Sequence, residues 1–273
     1  MFPASNQPRI GIIGFGAFGR LMAQHLRPHF PLCAHDPDLG AAMEGVARVS
    51  LQDAAACPII VLATPVGALA EVVESIAPHL APGALVLDVG SVKSIPAEIM
   101  RRGLPAHVEI VATHPLFGPQ SARDGIRGLK IAVCPVRGPR APRVAAFLRR
   151  VLGLDAILTT PEAHDREAAM AQGLTHLIAK LLMRMEPLPT RMTTRSFDLI
   201  MQAVGMVRDD APGVSRAIEH ANPFAPEVRR RFLALAAEAE FSAVDGAPAP
   251  RPNAAISREK PTWQDVWRES VPS

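Results

Sequence analysis

The sequence predicts an α/β fold: an N-terminal, Rossmann-like part with a doubly wound, mostly parallel sheet, followed by an all-α part. Two patterns support this prediction. Short apolar runs alternate with helical patterns over residues 1–160, as expected for strands that helices cover on both faces. From residue 161 only helical patterns continue, and a Pro/Ala-rich stretch follows residue 241. We therefore predict three segments, residues 1–160, 161–241 and 242–273.

Seven apolar runs in the first segment predict strands. They cover residues 9–14, 31–36, 58–64, 84–89, 107–113, 130–136 and 155–160. Helical patterns such as residues 67–80 separate most of them. Because strands buried on both faces are continuously apolar rather than alternating, these runs favour a parallel sheet.

The second segment opens with one long helical pattern, residues 161–185, in which Pro161 suits the first turn. Asp165 and Arg166 are interpreted as a charge pair on the surface of this helix. Further helices are predicted at residues 192–208, 212–220 and 226–241. A small helical segment with apolar faces often completes its core against a second copy, so we expect a homodimer through this segment.

The third segment is too rich in Pro and Ala to bury much surface. Near its end, Trp263, Val266 and Trp267 share one face of a short helical pattern. Two interpretations stay open, that this face docks on the protein or a partner, or that the terminus frays.

Composition excludes several classes of protein. The 273 residues include 29 basic and 26 acidic side chains, a balance that argues against nucleic acid or an anionic membrane as partner. The longest apolar stretch is interrupted by Pro65 and Glu71, so no membrane span is expected. The chain contains no tyrosine, which excludes chemistry that needs a Tyr proton donor.

The three cysteines, Cys33, Cys57 and Cys134, are far apart in the sequence and form no C-x-x-C pair. This spacing argues against a disulfide framework and a metal site, and it fits a reducing compartment. Since the first residues also lack a secretory signal pattern, we expect a cytoplasmic protein.

A glycine-rich loop follows the first predicted strand and opens a helix. Gly14, Gly16 and Gly19 have the G-x-G-x-x-G spacing that permits a tight turn, close approach of a pyrophosphate and close helix packing. Asp36 ends the second strand, where a carboxylate binds ribose hydroxyls and repels a 2′-phosphate, which favours NAD. The alternatives are a simple glycine turn and an Asp36 that starts a turn before Pro37. The cofactor-binding residues expected here are Gly14, Phe15, Gly16, Ala17, Phe18, Gly19 and Asp36.

Polar residues follow three further predicted strands and should gather at the carboxyl edge of the sheet. They are Thr64 and Pro65, then Gly90, Ser91 and Lys93, then His114. Thr64, Pro65 and Gly90 are expected to contact the cofactor. His114 titrates in the range that suits a general base for hydride transfer from an alcohol. Ser91 either orients His114 and the substrate or caps a helix at residues 92–101.

Four motifs, "GFGAFG", "DVGSVK", "THPLFGP" and "HDREAAMAQGLTHLIAK", occur in this order. Together they resemble the prephenate/arogenate dehydrogenase family of tyrosine biosynthesis, over nearly the whole chain to about residue 241. The "HPxFGP" form is most similar to the arogenate-type branch.

This resemblance implies an NAD-dependent oxidative decarboxylation of a cyclohexadienol, arogenate or prephenate. His114 would accept the hydroxyl proton, Ser91 would hold the hydroxyl and His114, and CO2 would leave from the opposite ring carbon. Since His176 lies among apolar residues, a buried structural histidine is the alternative for that position. The substrate-binding candidates are Gln172, His176, Ser121 and Arg123.

The sequence also departs from the family pattern. Asp36 and Pro37 stand where plant-like members carry Ser and Arg, and Gln120 stands where they carry Glu. The arginine that binds a substrate carboxylate has only candidates, Arg123, Arg127 and Arg195. Arogenate is expected over prephenate because an acidic group would pair with its ammonium. The acidic candidates are Glu162, Asp165 and Asp124.

Two other functions remain alternatives at this stage. A 3-hydroxyacid dehydrogenase has the same two-part plan but needs a Lys with an Asn one turn later, and here Arg184 follows Lys180. A non-catalytic, NAD-sensing binding protein would keep the glycine loop but would not need His114 and Ser91.

Overall fold

The computed structural model describes residues 7–38, 40 and 42–244. One eight-stranded sheet, in the order β3-β2-β1-β4-β5-β6-β7-β8, forms its centre. The strands are β1 (Ile10–Ile13), β2 (Leu32–His35), β3 (Val46–Arg48), β4 (Ile59–Leu62), β5 (Leu85–Asp88), β6 (Glu109–Pro115), β7 (Lys130–Arg137) and β8 (Asp155–Leu158). Only the β6–β7 pair is antiparallel. The predicted mostly parallel, Rossmann-like sheet is therefore confirmed.

Helices connect the strands and then continue alone. They are α1 (Ala17–Leu26), α2 (Leu51–Ala55), α3 (Leu69–Ile76), α4 (Ser94–Gly103), α5 (Ala141–Arg150), α6 (Pro161–Ala168), α7 (Leu174–Arg184), α8 (Arg195–Arg208), α9 (Pro212–Arg216) and α10 (Ala225–Val244). Short 3-10 turns, Val66–Ala68 and Ala77–His79, flank α3. No strand follows Leu158 in the described part of the chain, as predicted.

The core lies on both faces of the sheet. On one face, Ile60, Val86 and Ile110 from three neighbouring strands pack against Val73 of α3 and Met100 of α4. These side chains are almost completely buried. Since each fully buried aliphatic side chain contributes roughly 1.5–3 kcal/mol, this layer fixes the register of the central strands.

The predicted long helix at residues 161–185 differs from the structure in its middle. A π-helical segment, Ala169–Gly173, separates α6 from α7. A second π-helical segment, Ala217–Ala221, follows α9 where the sequence predicts one helix to residue 220. The two π segments contact each other. Such insertions rotate the following turn and are frequent at functional sites.

The pattern of contacts between residues divides the chain into two units, and the boundary follows Arg230, within α10. The first unit contains the sheet and the helices to α9. A boundary near residue 160 stays a prediction, and the apolar face around Trp263 lies outside the described residues. None of the described helices has the length and apolar character to cross a membrane.

Candidate active site

The glycine loop has the geometry that its spacing predicts. Gly14 has a φ of 96°, and a Cβ there would lie 2.6 Å from the Ala63 carbonyl carbon. A Cβ on Gly19 would collide with the carbonyl oxygen of Gly14, so α1 packs as closely as glycine allows. A Cβ on Gly16 would meet no described atom within 4 Å, and the residue is exposed. The loop therefore leaves space for a phosphate group beside the N-terminus of α1.

Asp36 both closes this loop and starts a turn. Its Oδ2 accepts a hydrogen bond of 2.5 Å from the Phe15 N–H, and its Oδ1 accepts one of 2.8 Å from the Asp38 N–H. The two interpretations of Asp36 are thus compatible. The structure also brings Arg20 close, since its guanidinium lies 4.9 Å from the centre of the Phe15 ring.

The carboxyl ends of the central strands meet as predicted. Leu62 of β4 is in register with Asp88 of β5, and Asp88 is in register with Ala112 of β6. Thr64, Gly90 and His114 therefore follow neighbouring strands at one edge of the sheet. At this edge, buried hydrogen bonds and an ion pair hold the side chains of His114 and Lys93.

His114 is the first member of a buried chain of three side chains. Its Nδ1 lies 2.8 Å from Nε2 of His164, and the Nδ1 of His164 lies 2.9 Å from Oδ1 of Asp165. All three residues are buried, with Asp165 fully inaccessible. The Nε2 of His114 has no hydrogen-bond partner among the described residues. That nitrogen is the one available to a bound molecule.

Asp165 also fixes the start of α4. Its Oδ1 accepts a 2.8 Å hydrogen bond from the Lys93 N–H, and its Oδ2 accepts one of the same length from the Ser94 N–H. The carboxylate therefore caps α4 from a distant helix and faces its positive end. The prediction of a surface pair between Asp165 and Arg166 is wrong, because Arg166 pairs with Glu162 on the exposed side of α6.

The side chain of Lys93 is fully buried, whereas most lysine side chains are exposed to solvent. Its ammonium forms an ion pair with Asp88 and donates a 2.7 Å hydrogen bond to the Thr113 carbonyl. Asp88 in turn accepts a hydrogen bond of 3.0 Å from the Gly90 N–H. This group ties the end of β5 to β6 at Thr113, the residue before His114.

Burial and neighbouring charge shift the pKa values of these groups. Burial, together with His164 and Lys93, holds the pKa of His114 well below its usual range. Burial alone would raise the pKa of Asp165, but hydrogen bonds from His164, Ser94 and Lys93 outweigh it and lower that pKa. His114 is thus kept neutral and Asp165 ionised at neutral pH.

A second cluster lies on α7 and the π segments. Nε2 of His176 lies 3.3 Å from Oδ2 of Asp210, and its Nδ1 lies 4.0 Å from Oε1 of Glu219. His176 Nδ1, Gln172 Oε1 and Thr64 Oγ1 are buried and have no hydrogen-bond partner among the described residues. Unpaired buried polar atoms are costly, so a group that completes their bonding is expected here.

The structure does not bring all predicted site residues together. Ser91 is half-buried and forms no hydrogen bond to His114 in the described part of the chain, where His164 takes that place. It does not cap a helix at residues 92–101 either, because α4 begins at Ser94. Ser121 and Arg123 lie on the exposed loop after β6, where Ser121 bonds Gly118 and Arg123 faces Asp124.

A large cavity elsewhere is not this site. It has a volume of about 400 Å³ and lies between α1, α5 and one face of the sheet. Its lining is almost entirely apolar, and it includes Leu21, Val61, Leu87 and Phe147. Its polar lining residues, His25, Thr113, Arg140 and Arg143, include neither His114 nor the His164 and Asp165 side chains bonded to it.

Two cysteines that are far apart in the sequence meet beside β1. The sulfur atoms of Cys33 and Cys57 lie 3.4 Å apart, and both thiols are free and buried. A hydrogen bond from Cys57 lowers the pKa of Cys33 to about 7. The sequence spacing contains no signal for this contact.

The sequence is similar to those of known prephenate and arogenate dehydrogenases. Residues 33–160 match the family model described as prephenate dehydrogenase, nucleotide-binding domain. A probable arogenate/prephenate dehydrogenase of Methanocaldococcus jannaschii is 27% identical over 64% of this chain and 41% of its own length. Arogenate dehydrogenase 1, chloroplastic, of Arabidopsis thaliana is 29% identical over 82% of this chain and 37% of its own. The chain thus spans about two fifths of the length of these relatives.

The fold has close counterparts among solved structures. A prephenate dehydrogenase from A. aeolicus, solved with hydroxyphenyl propionate and NAD+, superposes with a TM-score of 0.70 at 19% identity. The match covers 90% of this chain and 93% of that one. Residues 33–160 are thus similar to the nucleotide-binding domain of prephenate dehydrogenases, and the chain shares its fold with a solved prephenate dehydrogenase.

Proposed function

We propose that the protein catalyses the NAD-dependent oxidative decarboxylation of a cyclohexadienol, arogenate or prephenate. One observation carries the proposal: a buried, neutral His114 stands at the carboxyl edge of the sheet with only its Nε2 left for a ligand. A neutral imidazole in that position is suited to remove a hydroxyl proton. The similarity of residues 33–160 to the nucleotide-binding domain of prephenate dehydrogenases supports the same reaction.

The glycine loop fits a dinucleotide. The open space at Gly16 and the free N–H groups of α1 would receive the pyrophosphate, and Asp36 would bind the adenine ribose. Thr64, Pro65 and Gly90 follow β4 and β5, on the side where the nicotinamide would lie. NAD supplies the hydride acceptor. A carboxylate at Asp36 disfavours the extra phosphate of NADP.

His114 has a temporary role in the proton balance of this reaction. The hydroxyl proton passes to His114 as the ring carbon loses hydride and the C–O bond becomes a carbonyl. Electrons of the breaking C–CO2 bond then make the ring aromatic, and the oxygen regains the proton as a phenol. Substrate, cofactor and products balance without a net proton, so the protein must hold one proton and return it.

The helical segment supplies the other contacts. Gln172 and His176 each present a buried polar atom without a partner in the described structure, which supports a role in substrate binding. Asp210 and Glu219 beside His176 form an acidic pair that the sequence pattern does not single out. We propose arogenate as the preferred substrate because the Asp210 carboxylate would pair with its ammonium, whereas Glu219 is already paired with Lys180. The acidic candidates from the sequence suit this role less, since Asp165 is buried in the histidine chain and Glu162 and Asp124 are exposed.

The alternative functions have less support. A 3-hydroxyacid dehydrogenase would need a free catalytic lysine, but Lys180 forms an ion pair with Glu219. A non-catalytic NAD-binding protein would have no need to bury Lys93, Asp88, His164 and Asp165 around one histidine. Their desolvation costs free energy, which supports a role in positioning a reactive group.

Incubation with NAD and each substrate, followed by NADH absorbance, tests the function. Turnover of arogenate or prephenate is the expected result, and kcat/KM for arogenate should exceed that for prephenate. Absence of NADH with both substrates would contradict the proposed function. A kcat/KM ratio tenfold in favour of prephenate, about 1.4 kcal/mol, would contradict only the substrate preference.

A further inference from the structure

The chain His114–His164–Asp165 has only one hydrogen arrangement that satisfies every contact when both rings are neutral. Ionised Asp165 can only accept, so the Nδ1 of His164 must carry a hydrogen. The Nε2 of that ring is then an acceptor, and the Nδ1 of His114 must donate to it across 2.8 Å. The hydrogen of His114 is therefore on Nδ1, and its Nε2 has a free lone pair.

We propose that His164 is a positioning residue that holds His114 in this tautomer and also takes over the proton that His114 receives. The proposal rests on the function proposed above. When the substrate hydroxyl gives its proton to Nε2 of His114, the Nδ1 proton of the same ring moves to Nε2 of His164. The transfer reverses when the phenol forms, so no bond and no electron is left unbalanced.

The surroundings explain why the charge would move away from His114. That ring faces the ammonium of Lys93, which disfavours a second positive charge, although Lys93 is paired with Asp88. His164 instead faces the carboxylate of Asp165 at 2.9 Å. Cys134 on β7 is a further titratable neighbour of this group, and burial raises the pKa of its thiol to about 12, so it stays neutral. The carboxylate thus contacts His164 and not His114, so a positive charge on the histidine pair lies nearer to its counter-charge when it is on His164.

Two variants separate the two parts of the proposal. In His164→Gln, the amide oxygen can accept the His114 Nδ1–H but cannot take a proton. In His164→Leu, both abilities are lost. We expect kcat to fall on the order of tenfold for the first and a hundredfold for the second, with little change in the KM for NAD. The exposed His79, changed to Leu, is the matched control and should leave kcat unchanged.

The pH profile of kcat provides a readout that a purely structural role would not move. In the unmodified protein, the first proton taken up by the histidine pair is stabilised by Asp165 and blocks Nε2 of His114. In His164→Gln that stabilisation is lost, so the acid limb should move to lower pH. An unchanged limb together with an unchanged kcat would overturn the proton transfer.

The tautomer can be measured without any substrate. Ring 15N NMR of the histidine-labelled protein, assigned with His114→Asn, should show His114 protonated at Nδ1 in the unmodified protein and in His164→Gln. His164→Leu should lose this preference. A hydrogen on Nε2 in the unmodified protein would overturn the proposal. Because this result needs no turnover, it stays decisive even if neither arogenate nor prephenate is oxidised, which would refute only the proposed function.

Discussion

At the scale of single residues, His114 depends on buried neighbours that keep it neutral. Replacing it with Asn keeps a donor for His164 but removes the base. We expect kcat to fall a hundredfold or more, with nearly unchanged NAD binding by titration, since acid–base catalysis typically contributes that much. Near-normal turnover of His114→Asn would contradict the role.

The lowered pKa of His114 has a definite consequence for activity. The neutral form is the active one, and burial and the nearby positive charges hold its folded pKa well below 6.5. As pH falls through 6.5, kcat/KM should therefore stay flat, and it should fall only at lower pH. A rate profile that falls with a midpoint near 6.5 would show that another group or an exposed imidazole controls turnover.

A second prediction for a single residue is that Asp36 determines the preference for NAD over NADP. Asp36→Ser removes the charge that repels a 2′-phosphate, so kcat/KM for NADP relative to NAD should rise roughly tenfold, or about 1.4 kcal/mol. Arg20 beside the loop would then face the phosphate without a competing carboxylate. Asp38→Ser, at the exposed neighbour, is the control. Equal use of both cofactors by the unmodified protein would refute the prediction.

The sequence reveals some of these residues and not others for a physical reason. The glycine loop and Asp36 depend on local spacing, and the family motifs contain His114. His164 and Asp165 are visible in a motif, but the contacts of Asp165 reach Lys93 and Ser94 some seventy residues earlier. The spacing of residues within one helix carries no information about such a distant contact. The helical pattern alone therefore predicts that Asp165 lies on the surface.

At the scale of elements, the start of α6 is held by one side chain. The hydroxyl of Thr160 accepts a 3.1 Å hydrogen bond from the Ala163 N–H. Thr160→Ala should lower the free energy of unfolding by about 1 kcal/mol in chemical denaturation, while Thr160→Ser should keep the cap and most of the stability. Equal stability of the two variants would show that Pro161 alone fixes the helix start.

The spacing of apolar residues predicts most of the helices and strands. The elements that it does not predict have identifiable physical reasons. β3 has only three residues, and two of them are exposed, so it carries no apolar run. The π segments, Ala169–Gly173 and Ala217–Ala221, look helical in sequence because one inserted residue hardly changes the apolar pattern. The antiparallel direction of β7 is not visible in the sequence because residues 116–129 separate it from β6, a connection too long for a simple hairpin.

At the scale of the whole molecule, the predicted homodimer remains to be tested. Several large apolar side chains on α7, just after it and on α8 are exposed, which supports a partner surface there. They are Leu181, Met185, Leu199, Ile200 and Met206. We expect sedimentation at twice the chain mass of 29.2 kDa.

Charge on this surface should separate the subunits. Leu199→Glu combined with Ile200→Glu places two carboxylates on the exposed side of α8 and should yield a monomer that keeps its circular dichroism. Gln202→Glu, an exposed position on the same helix, is the control with one added charge. A monomer at micromolar concentration in the unmodified protein would contradict the homodimer.

The placement of Asp165 limits how substrate can enter and leave. Its carboxylate is fully buried and bound to the start of α4, although it belongs to the first helix after the sheet. A hinge that swings α6 away from the sheet would have to expose that charge and break both hydrogen bonds, besides the contact with His164. Rotation of α6 as a rigid body would therefore cost both hydrogen bonds and the burial of this carboxylate. We therefore expect substrate and product to exchange through smaller displacements of the exposed loop after β6, whose rate would limit turnover.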